Sequence, residues 1–332
     1  MKIKDIHARE ILDSNGIPTL STTIEVYSGE KGTAEVPSGA STGKNEVVEI
    51  RDGDMGRYQG KGVQKAVQIV NGKIKELLLE REFTSQREFD QLLIEADGTE
   101  LKEKLGGNSI LSCSIAFAKA VSNAFGLELY QYLAMTYWDK QFDNSSLKLP
   151  TPLVLIMEGA KHGNWATDIQ EYMIVPNMEK FKTFSDALRA STEVFHITHD
   201  ILNEKGYSVG VGYEGAYAPK EIKGNEGAFD IILDSIQRAG FTQDDFKLAV
   251  DVAASEFYDE NTQKYTLKSE KKELSKEEWL KLQKDWYSKY PMISIEDPLH
   301  EEDWEGWIDF TTEFGQEYMI VGDDLLCTNS KR

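Results

Sequence analysis

Basic residues are scarce in this chain relative to acidic ones: 37 Lys and Arg stand against 57 Asp and Glu, a formal net charge of −20. A surface so negative repels phosphate backbones and anionic lipid, so neither nucleic acid nor a membrane surface is an expected partner. Cysteine is scarcer still. Cys113 and Cys327 are too few and too far apart for a disulfide framework or a thiolate metal site. No apolar run reaches membrane-spanning length, and Met1-Lys2-Ile3-Lys4-Asp5 lacks the apolar centre of a secretion signal. These absences point to a reducing, cytoplasmic setting. An acidic protein that handles an anionic metabolite needs a metal ion or a local basic cluster to hold it.

What is present is a chain of 332 residues, long enough for two cores. Apolar alternation predicts strands over 3–11 and 19–27, and a turn at Ser28-Gly29-Glu30-Lys31-Gly32 leads into a third over 33–36. Helical spacing follows from Lys61 to about Met135, with Val63, Ala66, Val67, Val70 and Ile74 on one face. Strands followed by helices describe an α+β domain over 1–136. A polar stretch, 137–149, reads as a linker before a second domain over 150–332 that opens at Pro150 and Pro152.

Three apolar runs organise the second domain: Lys247-Leu248-Ala249-Val250, Met292-Ile293-Ser294-Ile295 and Tyr318-Met319-Ile320-Val321. Each ends in acid, directly or after one Gly, at Asp251, at Glu296, and at Asp323 with Asp324. Helix-like segments over 276–290 and 303–314 separate them, which is the rhythm of a parallel α/β sheet or barrel. Parallel strands bring their C-terminal ends to one face, where such barrels keep their active sites. Carboxylates gathered there repel unless a hard cation lies between them, and Mg²⁺ is the usual choice where water and substrate complete the shell. An acid after a strand also caps helices and opens turns. Three successive strands ending alike favour the metal.

Two glycine patterns carry less. Residues 37–43, Pro-Ser-Gly-Ala-Ser-Thr-Gly, followed by Lys44, look faintly like a phosphate loop, but the first Gly is one place late and Asn45 stands where a metal-binding hydroxyl belongs. A polar lid loop is the better reading. Gly210-Val211-Gly212-Tyr213-Glu214-Gly215 satisfies G-x-G-x-x-G, yet no helical pattern opens before about Asn225, so a dinucleotide site is rejected. His196 and His199, at helical spacing beside apolar neighbours, read as structural.

Read as a whole, the chain resembles the enolases, the phosphopyruvate hydratases. The resemblance is carried in order by Ala8-Arg9-Glu10-Ile11-Leu12-Asp13-Ser14, 37–43, Arg51-Asp52-Gly53-Asp54, Gly60-Lys61-Gly62-Val63 and Asp97-Gly98-Thr99-Glu100. It continues through Gln170-Glu171, Ala253-Ala254-Ser255-Glu256-Phe257-Tyr258, Ser294-Ile295-Glu296-Asp297 and Val321-Gly322-Asp323-Asp324-Leu325. It implies an enolase-type α/β barrel preceded by an α+β lid domain, and reversible dehydration of 2-phosphoglycerate to phosphoenolpyruvate in glycolysis and gluconeogenesis. By the same match Asp251, Glu296 and Asp323 hold one Mg²⁺, and Ser41 joins a second. Glu214, with Glu171 beside it, protonates the departing hydroxyl, and His162 and Gln170 line the pocket of a small phosphorylated three-carbon acid. A homodimer is implied as well.

The match also departs from the family. Only nine residues follow Asp323, whereas a βα unit takes roughly thirty, so a barrel incomplete at its C-terminal end is expected. The proton-abstracting Lys and the phosphate-gripping residues, which enolases carry later, are then absent, and proton abstraction by this chain alone is not expected. Asn15 and Ile17 replace an Arg and an Asn, the Arg serving the dimer contact. Glu158 and Ala160 stand where Asn and Gly are expected, Tyr213 replaces an Asp, and Ala216 replaces a Gly. The competing reading is a non-catalytic enolase-like protein that acts by binding or assembly.

Overall fold

The structure, a computed structural model, describes residues 1–39, 45–138, 143 and 147–332. Ser41, expected on the lid loop, lies outside the described residues. Two compact units result, Met1–Leu147 and Lys148–Arg332.

In the first unit β1 (Ile3–Leu12), β2 (Pro18–Val26) and β3 (Lys31–Val36) form an antiparallel meander. β3 alternates strictly between exposed and buried residues, which leaves one face for a helix layer. Gly29, at φ 104°, turns the chain between β2 and β3. Helix α1 (Gln64–Ile69) runs through a π-turn at Val70–Ile74 into α2 (Lys75–Leu78). The π-turn aims Asn71 at β1, where its amide both donates to the Ala8 carbonyl (2.9 Å) and accepts from the Ala8 N–H (2.7 Å). α3 (Gln86–Asp97) is capped by Ser85 and stopped by Gly98 in the left-handed conformation. α4 (Gly107–Ala124) lies on the sheet, with Ala116, Phe117 and Ala120 buried, and α5 (Leu129–Trp138) follows it. Its close approach depends on Gly32: a Cβ there would strike the Ala116 carbonyl and the Ala120 amide. No single described helix is long and apolar enough to cross a membrane, and α4 with α5 pass that test only as a pair bent by 103°.

The second unit is built on β4 (Val154–Glu158), β5 (Glu171–Pro176), β6 (Phe246–Asp251), β10 (Met292–Glu296) and β11 (Met319–Val321), in the order β11-β10-β6-β5-β4. Helices α6 (Phe184–Glu204) and α7 (Gly224–Arg238) come between β5 and β6. β6, β10 and β11 are parallel, linked through α8 (Lys276–Lys289) and α9 (Trp304–Phe314). β5 alone departs from that pattern, pairing antiparallel with both neighbours, so that β4 runs in the same direction as β6. No helix separates β4 from β5, and a connection without a crossover returns the chain beside the strand it left. Among the described residues this sheet is open, with β4 and β11 at its edges, and does not close into a barrel.

One insertion was not foreseen. Between β6 and α8 a small antiparallel sheet forms from β7 (Tyr258–Asp259), β8 (Lys264–Leu267) and β9 (Lys272–Leu274). It delivers Tyr265 to an aromatic cluster with Phe257, Trp279 and Trp286 under the main sheet. Trp279 donates its indole N–H to the Pro298 carbonyl at 2.9 Å, so the ring's polar edge is satisfied in the core. A capping box of Ser275 and Glu278 starts α8, and Asp303 caps α9.

Candidate active site and metal centre

The strand register sets four acids side by side. Glu158 pairs with Glu171, Glu171 with Asp251, and Asp251 with Glu296, whose other partner is Val321. Register partners on adjacent strands present their side chains on one face at close spacing. The reversal of β5 is what achieves this, since it puts the start of β5 beside the ends of β4 and β6. Directly opposed like charges destabilise a sheet, so the row needs protons or a cation to neutralise it.

At one end of the row, Asp251, Glu296 and Asp297 each offer an oxygen within 4.8 Å of the others. Asp251 is buried and oriented on both sides: it accepts the Ala253 N–H at 2.9 Å and the Gln170 side-chain amide at 3.0 Å. Burial first, then Glu296 and Glu171, hold its carboxyl well above the usual range. Glu296 is pushed up to about 7 by burial and then by the charges of Asp323 and Asp324. Asp323 follows β11 by two residues, outside the 4.8 Å group but close enough to act on Glu296. Asp297 has a different task. At φ 42° its carboxylate accepts the N–H groups of Asp323 (3.1 Å), Asp324 (2.8 Å) and Leu325 (3.5 Å). It thus folds the segment that carries Asp323 against the end of β10.

At the other end, His162 Nδ1 lies 3.8 Å from Glu171 Oε1 and 3.7 Å from Glu214 Oε1. Burial, with repulsion from Glu214 next, pushes the Glu171 carboxyl up to about 8. Glu158 supports this group. Its carboxylate accepts the N–H of Glu214 (3.1 Å) and of Ala216 (2.8 Å), pinning the loop that presents Glu214. A Cβ on Gly212 would meet Glu158 Cδ and the His162 carbonyl at 2.5 Å each, so only glycine lets this loop seat. Tyr213 lies over His162, with ring centroids 5.7 Å apart. Ala160 is buried at φ 39°, a conformation that favours glycine, the residue the family resemblance expects there.

The segment 210–218 is a tight hairpin, with Gly212 N–H bonded to the Ala216 carbonyl at 2.9 Å and Ala218 N–H to the Gly210 carbonyl at 3.1 Å. No helix begins until Gly224, and the glycine pattern therefore builds no dinucleotide turn. On α6, His196 is exposed and His199 meets Asp200 and Asn203 of its own helix.

Two family models match the chain. One is described as the enolase N-terminal domain and covers residues 3–133. The other is described as the enolase C-terminal TIM barrel domain and covers residues 146–332. The chain belongs to the enolase family. Membership makes a metal-dependent, lyase-type enzyme the general class in which this site belongs.

As an enolase-family site, the gathered acids fit a hard divalent cation. The donors around Asp251 are all oxygens, their carboxyls are raised by burial and mutual repulsion, and Gln170 Oε1 is buried with no hydrogen-bond partner. All-oxygen donors of this kind suit Mg²⁺ or Ca²⁺ rather than a softer metal. Gln170, expected to line the substrate pocket, spends its N–H on Asp251, the oxygen alone remaining without a partner. Two contributors escaped sequence reasoning, Asp297 as the support of the Asp323 segment and Glu158 as the anchor of the Glu214 loop. Glu158 left one trace, as an acid where the family resemblance expects Asn.

Proposed function

We propose that this site holds the cation and donates the proton in the Mg²⁺-dependent dehydration of 2-phosphoglycerate to phosphoenolpyruvate. The observation that carries the proposal is the strand register that places Asp251 and Glu296 next to Glu171, with His162 beside Glu171 and Glu214 at its other side. Asp251 and Glu296 would hold the ion, with Asp323, positioned by Asp297, completing the set. When bound, a divalent cation on the substrate carboxylate stabilises the charge that builds as the adjacent C–H proton leaves, the established role of metals in enolase-superfamily sites.

Glu214 would deliver its proton to the departing hydroxyl, which leaves as water as the carbon–carbon double bond forms. Glu171, part-buried beside it, holds its own proton near neutrality because burial and then repulsion from Glu214 raise its carboxyl to about 8. His162 and Gln170 would contact the substrate.

The test is the ultraviolet absorbance of phosphoenolpyruvate on adding 2-phosphoglycerate with Mg²⁺. Product that requires Mg²⁺ and falls at least about a hundredfold with Glu214→Gln supports the reading. No product at saturating Mg²⁺ counts against catalysis by this chain and favours the binding or assembly reading.

A further inference from the structure

The second unit holds two separate donor groups, and only one of them is made of oxygen alone. We infer that His162 Nδ1, Glu171 Oε1 and Glu214 Oε1 form a second metal site, for a borderline divalent cation such as Zn²⁺. The three atoms lie within 4.8 Å of one another. Nδ1 is 3.7 Å and 3.8 Å from the two carboxylates, too far for a hydrogen bond to either. Donors about 2.0–2.1 Å from one tetrahedral zinc stand roughly 3.3–3.4 Å apart, a few tenths of an ångström less than these separations, so a small side-chain movement lets a single ion satisfy all three.

The histidine supplies an independent reason. Its side chain is only 9% exposed, Nδ1 is buried, and that nitrogen has no hydrogen-bond partner. A buried imidazole nitrogen that faces two carboxylates without a hydrogen bond to either is placed as a metal ligand would be. Imidazole and carboxylate are both donor types that zinc takes, and open zinc sites use three protein ligands and leave the fourth position to water. Glu214 is 39% exposed and gives that position a route to solvent.

The supporting shell points the same way. Glu158 holds the Glu214 backbone with one oxygen and the Ala216 backbone with the other. As a buried acid in place of the family's Asn, it adds a negative charge that repels Glu171 and attracts a cation. The Asp251 group is chemically distinct, having no nitrogen donor. The inference shares residues with the dehydration reading but not its chemistry, since an ion on Glu214 takes the place of the proton that reading requires there.

The test uses the whole chain in excess Mg²⁺, which fills the all-oxygen group, with Co²⁺ as a coloured probe. One equivalent of Co²⁺ is expected to give a visible ligand-field band that Mg²⁺ does not remove and one equivalent of Zn²⁺ does. His162→Gln and Glu171→Gln should each weaken Co²⁺ binding at least about tenfold, and Asp251→Asn should leave it unchanged. Thermal unfolding without metal confirms that each variant folds, and a folded one of the two suffices. The inference is overturned by the absence of a Mg²⁺-resistant band, by a band unchanged in the folded His162 or Glu171 variant, or by its loss in Asp251→Asn. Phosphoenolpyruvate formation with Mg²⁺ alone is measured separately, so either reading can fail without the other.

Discussion

Replacing Glu296 by Gln should make the metal-free chain more stable at slightly alkaline pH while removing its response to Mg²⁺. Glu296 is part-buried on β10, in register with Asp251, and feels Asp323 and Asp324 beyond β11. Its carboxyl is raised from 4.5 to about 7. A carboxyl raised by folding contributes stability that is fully present below about pH 4.5 and is lost as pH climbs through about 7. At about 1.4 kcal/mol per pH unit the whole shift corresponds to roughly 3 kcal/mol. Solvent screening of a part-exposed group reduces that to about 1–2 kcal/mol. The isosteric amide carries no charge and removes the loss. Urea unfolding with a chelator should therefore show no gain for Glu296→Gln at about pH 4.5 and a gain of about 1–2 kcal/mol at about pH 8. With Mg²⁺ added at the higher pH, the parent chain should gain stability and the variant should not. A variant less stable than the parent at about pH 8 without metal, or one that keeps the full Mg²⁺ response, would refute the reasoning.

Two further substitutions probe how the site is held. Gly212→Ala places a methyl group 2.5 Å from Glu158 Cδ and should cost about 1–3 kcal/mol, with faster proteolysis of the 212–217 loop as the readout. Unchanged stability and unchanged cleavage would show that Glu158 does not clamp that loop. Asp297→Ala strands three amide N–H groups at Asp323, Asp324 and Leu325, and should cost about 2–4 kcal/mol while raising amide exchange there. Exchange that stays slow at those residues would contradict its supporting role.

How far the sequence announces this site depends on whether neighbours in space are also neighbours in the chain. The β6, β10 and β11 strands are legible because a buried parallel strand concentrates its apolar residues into one short run, and the acid that follows marks its end. β8 and β9 are short and half polar, and their pairing rests on a turn at 268–271 that no hydrophobic period signals. The direction of β5 is a matter of connection rather than composition. It nevertheless decides that Glu171 faces Asp251 instead of lying a strand length away. Asp297 and Glu158 look like any other acids after a strand. What distinguishes them is the set of backbone N–H groups they accept, from residues up to 58 positions away, a property of the folded register alone. Ala160 is the converse case: the resemblance flags an unusual residue, and the positive φ gives the physical meaning of the departure.

The central claim is that Asp251 and Glu296, brought together by the β6–β10 pairing, hold a hard divalent cation. It is tested most directly by Mn²⁺ binding to the full chain, followed by electron paramagnetic resonance in competition with Mg²⁺. A Mg²⁺-displaceable Mn²⁺ signal is expected, which Asp251→Asn weakens at least about tenfold and His162→Gln leaves in place. Mn²⁺ binding equally tight in folded Asp251→Asn, or none that Mg²⁺ can displace, would contradict it.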